Sequence, residues 1–422
     1  MTARGPHALF LLFVLSVVFS VQFPLPLVAS QYASVNLSDL VLLAIAVLFV
    51  LERLRADDWR LSLSLPSPTA WFLVAGGWMV VSLAAAVVRS PDVAAVNALW
   101  TLKWFEVTVL FVLAQAFADR VDWNALLVVL SGAGVVVAVT TVVRTVSTSG
   151  FTRVTVFWHN PNTLAVFLAL PALLCLAHGA GRIRERPLEA LVAALGGLCC
   201  LLAVVSTGSR SGLITLVAGV AVTVVLSYRR LSVSLLVGGV GTGIAAGGVL
   251  LTTRPKLLGR FLPTIAFRDG TIVFSGPGTG AIYSRYELTR KALGLWTDRP
   301  VFGYGWFASP ENPTVSFLDV FYTQVLVDLG LVGFVLVGAF YLVLVRAFVV
   351  QRTTTSLAVP TAGAAWLVGL LAAGIGGGHP RIPRIMFLLV LVLVAANRLR
   401  ICGTAPSGRP GRPSRGRSFR ND

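Results

Sequence analysis

Runs of about 20 apolar residues recur along almost the whole chain, and no other feature restricts its fold so strongly. One is "ALLVVLSGAGVVVAVTTVV", residues 125–143. In hydrocarbon a backbone has no water to bond, so such runs must close their hydrogen bonds internally as helices. A membrane barrel would show alternating segments of about ten residues instead. Mean hydropathy of +0.85 with 12% charged residues excludes a soluble domain. The sequence therefore predicts an all-α polytopic membrane protein of about 12 transmembrane helices. They fall near 7–29, 36–53, 70–89, 97–117, 124–144, 160–180, 188–206, 211–228, 231–252, 318–346, 357–377 and 385–399.

This pattern divides the chain into a membrane bundle (1–252, spans 1–9), a long loop (253–317), three further spans (318–400) and a basic tail (401–422). The first run, His7 to Val28, lacks a small-residue cleavage site and is read as a retained helix. With both termini cytoplasmic, "ERLRADDWR", "GRIRERP", "SYRR" and "VRAFVVQR" fall on the inner side of the cell membrane. "HPRIPR" is the exception, placing Arg381 and Arg384 outside. The net charge of +17 belongs to this flanking pattern and to a tail suited to anionic lipid headgroups, not to nucleic acid. Cys175, Cys199, Cys200 and Cys402 lack metal-binding spacing and predict neither disulfides nor zinc.

The long loop is cationic, with Arg254, Lys256, Arg260, Arg268, Arg285, Arg290, Lys291 and Arg299, and calls for an anionic ligand. Within it, Leu288, Ala292, Leu295 and Trp296 share one helical face, which predicts an amphipathic helix lying at the interface. The glycine-punctuated "FRDGTIVFSGPGTG" before it fits a hairpin or irregular lid.

Four clusters could carry chemistry. "STGSRSG", 206–212, sets Arg210 at the start of a span among small residues. A guanidinium can grip two phosphate oxygens, and the neighbouring hydroxyls, Ser209 included, can join it. "RVTVFWHNPNTLA", 153–165, joins Arg153 to a polar helix start containing Asn162, with Trp158 as an interface aromatic. "SRYELTRKALGLWTDRPVFGYGWF", 284–307, holds Arg285 and Arg290 and ends in a glycine-aromatic turn. "FLDVFYTQVLVDLGLVG", 317–333, holds Asp319 and Asp328, carboxylates that need partners at membrane depth. Lys103 and Glu106, three apart on one span, can pair with each other.

In this order the four clusters resemble the O-antigen ligase and polymerase family of membrane glycosyltransferases. The family pattern has an Arg followed by "nPN.lA", then "T.SR", then "R..lw..al..i.d.P.fG.G" in a long outer loop, then "HN.yL....ElGl.G". The resemblance runs from about 150 to 335 and leaves the first five spans matched in hydropathy alone. It implies a GT-C-like bundle with its long outer loop between helices 9 and 10. It also implies a polyprenyl-diphosphate-linked oligosaccharide as donor, and glycan, lipid or protein as acceptor. Transfer would occur with inversion, without metal or cofactor. Arg210 and Arg285 would clamp the diphosphate, with Arg153, Asn162, Ser209 and Arg290 as further contacts. Where the family has a histidine base this chain has Asp319, which shifts the expectation from ligation towards polymerisation or another acceptor. A flippase or transporter of the same lipid-linked glycan is the alternative. It would line a path through the bundle with charge instead of gathering arginines at one face.

Overall fold

The computed structural model describes residues 4–20, 22–24, 34–56, 65–89, 94–148, 154–158, 160–183, 185–227, 248, 264–268, 271–275, 279–305, 320–352, 358–375, 377 and 382–404. These residues form α1 (Arg4–Val18), α2 (Leu37–Ala56), α3 (Pro66–Arg89), α4 (Ala94–Ala116), α5 (Trp123–Ser147) and α6 (Pro161–Arg182). They continue as α7 (Pro187–Ser206), α8 (Arg210–Ser227), α9 (Thr279–Asp298), α10 (Phe321–Val350), α11 (Ala358–Ala373) and α12 (Pro383–Thr404). Two short antiparallel pairs accompany them, β1 (Gln22–Pro24) with β2 (Ser34–Asn36) and β3 (Thr264–Arg268) with β4 (Thr271–Ser275). Among the described residues, six helices are long and apolar enough to cross a membrane: α3, α5, α6, α7, α8 and α10. The protein is a polytopic helical membrane protein.

Two expectations change. The first run does not stay helical to residue 29, because α1 stops at Val18 and Pro24 lies in β1. Proline cannot donate the helical hydrogen bond, and the sequence places two of them, Pro24 and Pro26, in that stretch. The tenth span is not one continuous helix: α10 breaks at Gly330, whose φ of 65° and ψ of −169° are non-helical. Apart from Gly248, the expected ninth span at 231–252 lies outside the described residues, as does the tail beyond 404.

Helix α6 is the axis of the bundle, with Thr163 through Cys175 buried without interruption. Small residues let its neighbours approach closely. A Cβ on Gly212 of α8 would lie 2.2 Å from the Ala165 Cβ of α6, and one on Gly369 of α11 would lie 2.3 Å from the Thr215 carbonyl of α8. The α5–α6 contact is set by Gly134 against the Pro171 ring. Trp366 of α11 donates its indole N–H to the Val166 carbonyl of α6 at 2.9 Å, locking the two helices in register.

Contacts between helix termini sort the bundle into two ends. At one end the Trp158 indole donates to Val18 O, Arg384 meets Ser20 and Asn36, and Lys103 meets Asp39. The Ala165–Gly212 contact puts the start of α8, and with it Arg210, at this same end. At the other end Arg120 pairs with Glu52, Arg398 with Asp119, and Arg352 bonds the Leu226 carbonyl. Arg53, Arg55 and Arg182 close α2 and α6 there as well.

Candidate anion site at one end of the bundle

The turn between α7 and α8 is built from side chains that bond their own backbone. Thr207 Oγ1 donates to the Val204 carbonyl at 2.7 Å and accepts from the Ser209 N–H at 3.2 Å. Gly208 takes φ 62°, the left-handed conformation that a tight helix-to-helix turn requires. Ser209 Oγ then accepts the Gly212 N–H at 3.1 Å, which makes Ser209 the N-cap of α8. Thr207 and Ser209 are fully buried. The small residues of this motif thus serve packing and capping, since Gly212 exists to clear Ala165.

Capping fixes Arg210 as the first residue of α8, half-buried and at the positive end of the helix dipole. A cation at a helix N-terminus opposes the dipole, so the position gains from an anion bound there. Arg285 of α9 intensifies the field: it lies close enough to Arg210 for the two like charges to act on each other. The turn and the loop helix, 75 residues apart in sequence, thereby bring two guanidiniums within electrostatic reach of each other.

Helix α9 reaches that place by using its apolar face. Ala292 is 1% exposed and packs with Val327 of α10, flanked by Leu295, Trp296 and Tyr304. The stripe expected to face the lipid interface therefore seats on the bundle. Arg285 lies seven residues before Ala292, hence on the same face, and is half-buried. Arg290 lies about 140° around the helix from Arg285 and is exposed, as are Glu287 and Lys291.

The glycine-aromatic turn after α9 fills the break in α10. An unbroken helix would bond the Leu331 N–H to Val327 O and the Val332 N–H to Asp328 O. Here Tyr304 N–H donates to Val327 O at 2.9 Å and Gly305 N–H to Asp328 O at 2.8 Å. Leu331 N–H donates to Pro300 O at 2.8 Å and Val332 N–H to Val301 O at 3.2 Å. All four groups released by the break are satisfied, where each unpartnered one would cost several kcal/mol in an apolar setting. Asp328 is buried just before the break and accepts from Gln324 Nε2 at 3.1 Å.

Asn162 is half-buried in the first turn of α6, where its backbone N–H donates to the Asn160 side chain at 2.8 Å. Trp158 is 3% exposed, stacked on Phe167 and covered by the Arg384 guanidinium, so it is an interior wedge and not an interface aromatic. The exceptional Arg384 is likewise satisfied inside the protein. Nearby, Lys103 sits between Asp39 and Glu106, a wider cluster than the expected pair. Arg153, His159, Asp319 and Arg381 lie outside the described residues.

Comparison with known families adds one finding. Residues 195–338 match the family model described as O-antigen ligase. The matched stretch contains the Arg210 turn, α9 with its glycine turn, and the broken first half of α10; the motif at 153–165 precedes it. No curated protein matches the chain.

Proposed function

We propose, for a chain whose residues 195–338 match the O-antigen ligase family model, a glycosyl transfer from a polyprenyl-diphosphate carrier at the outer face of the cell membrane. The observation that carries this reading is the half-buried Arg210 at the capped N-terminus of α8, with Arg285 on the bundle-facing side of α9 within its electrostatic reach. Two guanidiniums within reach of each other, with a helix dipole, suit a donor diphosphate that carries two negative charges and gains a third as the glycan departs. The arginines grouped at the opposite end support an inward orientation for that end by the positive-inside rule, which turns Arg210 outward. On this reading the chain crosses the membrane about twelve times, both termini are cytoplasmic, and 253–317 is an outer loop carrying α9.

In the reaction, the acceptor hydroxyl oxygen attacks the anomeric carbon from the side opposite the diphosphate. The carbon–oxygen bond to the carrier breaks, and the electron pair leaves with the diphosphate. Arg210 and Arg285 hold the oxygens on which that charge gathers; preorganised donors of this kind contribute about 10²–10³ in rate each. Two guanidiniums match the two charges of the bound diphosphate, and the dipole of α8 adds to them as the third develops, so we read the transfer as independent of metal. Asp319 takes the hydroxyl proton, standing where the family has a histidine. Arg153 and Asn162 extend the contact with the diphosphate, and Arg290, on the exposed face of α9, meets the glycan. Ser209 contributes through its cap, by holding Arg210 at the start of α8.

The test is transfer by purified protein in detergent, with chelator, from a labelled polyprenyl-diphosphate oligosaccharide to a panel of acceptors, read by product mass. Growth by whole repeat units identifies a polymerase, and single-block transfer to lipid or protein a ligase. Donor that binds uncleaved but moves between leaflets of vesicles would replace the enzyme with a flippase.

A further inference from the structure

Resting on the reading above, we infer that Gly303 and Gly330 are positioning residues of the transfer reaction, forming a backbone clasp that sets where α9 holds Arg285. Neither residue touches the proposed diphosphate site. Their roles are reciprocal: a Cβ on Gly303 would lie 2.5 Å from the Asp328 carbonyl oxygen and 2.6 Å from the Gly330 nitrogen. A Cβ on Gly330 would lie 2.2 Å from the Val301 carbonyl oxygen and 2.6 Å from the Gly303 nitrogen. Both also occupy left-handed backbone, with φ of 68° and 65°. The turn at 300–305 and the break in α10 can therefore interlock only while both positions are glycine.

The clasp joins directly to α9. Trp296 Nε1 donates to the Pro300 carbonyl at 3.0 Å, the Arg299 guanidinium covers the Tyr304 ring at 4.8 Å, and Gly305 is pressed on Ala86 and Ser82 of α3. It thus anchors the C-terminal end of α9 to two helices of the bundle. From Asp298 back to Arg285 the helix is about 20 Å long at 1.5 Å per residue. A tilt of about 5° at the clasp would carry Arg285 sideways by about 1.7 Å over that lever. Displacements near 1 Å can cost about a hundredfold in rate. A feature that only stabilised the fold could have used an unbroken α10, which needs no partner for these backbone groups; the break makes α10 dependent on the loop that carries Arg285.

Gly303→Ala tests this, with Gly338→Ala as control, because α10 has open space at Gly338. The donor assay should show kcat for Gly303→Ala about a hundredfold lower with little change in donor KM, and Gly338→Ala unchanged. Wild-type kcat in a membrane-inserted Gly303→Ala protein overturns the inference, and so does a loss confined to KM. If Gly303→Ala does not accumulate, one alanine inserted between Asp298 and Arg299 replaces it. The insertion keeps the clasp and re-phases α9 by about 100°; wild-type kcat there overturns the inference as well. Spin labels on the exposed Tyr286 and Leu331, in a background with the four cysteines replaced by alanine, give a readout independent of turnover. A narrow distance distribution that broadens or shifts in either variant supports the clasp, and an unchanged one overturns it. If the unmodified protein transfers no glycan, the proposed function fails while the distance measurement still decides the clasp.

Discussion

Replacing Arg210 by lysine separates charge from geometry at the proposed diphosphate site. The substitution leaves the cap intact, since Ser209 Oγ bonds the Gly212 backbone, and the half-buried position tolerates a side chain of similar length. The protein should therefore accumulate in the membrane at wild-type level. What it loses is the planar fork that binds two oxygens at once. Removing one such donor aimed at transition-state charge costs about 2.7–4 kcal/mol, or about 10²–10³ in kcat. Lysine retains the charge, so Arg210→Lys should fall at the lower end and Arg210→Ala at the upper. Because Arg285 lies within electrostatic reach of Arg210, the two act on one leaving group and cannot be independent. The double variant Arg210→Ala, Arg285→Ala should lose less than the product of the single losses. Initial rates of oligosaccharide transfer, with kcat and KM resolved for each variant, measure this. A wild-type kcat for Arg210→Lys, or multiplicative losses in the double variant, would refute the shared clamp.

Ser209→Ala orphans the Gly212 N–H in a buried turn and should lower stability by about 1 kcal/mol, seen as a lower thermal midpoint in detergent. A large rise in donor KM with unaltered stability would instead make Ser209 a ligand contact. Arg290→Ala should raise donor KM and leave kcat in place, the mark of a contact equal in ground and transition states, whereas Arg285→Ala should lower kcat. Lys103→Met leaves Asp39 and Glu106 facing each other without their shared cation and, at this half-buried site, should cost about 1.5–3 kcal/mol in folded protein. Adding Asp39→Asn and Glu106→Gln should restore the yield; no recovery would show that lysine contributes by packing alone.

The sequence alone determined the class of fold, because runs of apolar residues long enough to span hydrocarbon leave the backbone no option but helix. It also determined that Arg210 opens a helix, since Ser209 before an apolar run is a local capping signal whose partner lies three residues away. The amphipathic stripe of α9 was equally legible, as periodicity is a property of neighbours in sequence. What the stripe faces was not: it seats on Val327 of α10, a contact that no local pattern encodes. The same limit hid the break at Gly330, which reads as an ordinary glycine in an apolar run until Gly303 is placed against it. Two glycine pairs, Gly303 with Gly305 and Gly330 with Gly333, were the available signal, but their interlock is a matter of backbone groups 23 and 31 residues apart finding each other. Arg384 looked like an exception to the charge pattern because its partners, Ser20, Asn36 and Trp158, come from the far end of the chain. The resemblance had already set Arg285 beside Arg210; tertiary structure decided how α9 is turned, with Arg285 half-buried on the Ala292 face and Arg290, five residues on, exposed. Burial of Ala292 against α10 marks the face of α9 that meets the bundle, and a helix can present only one.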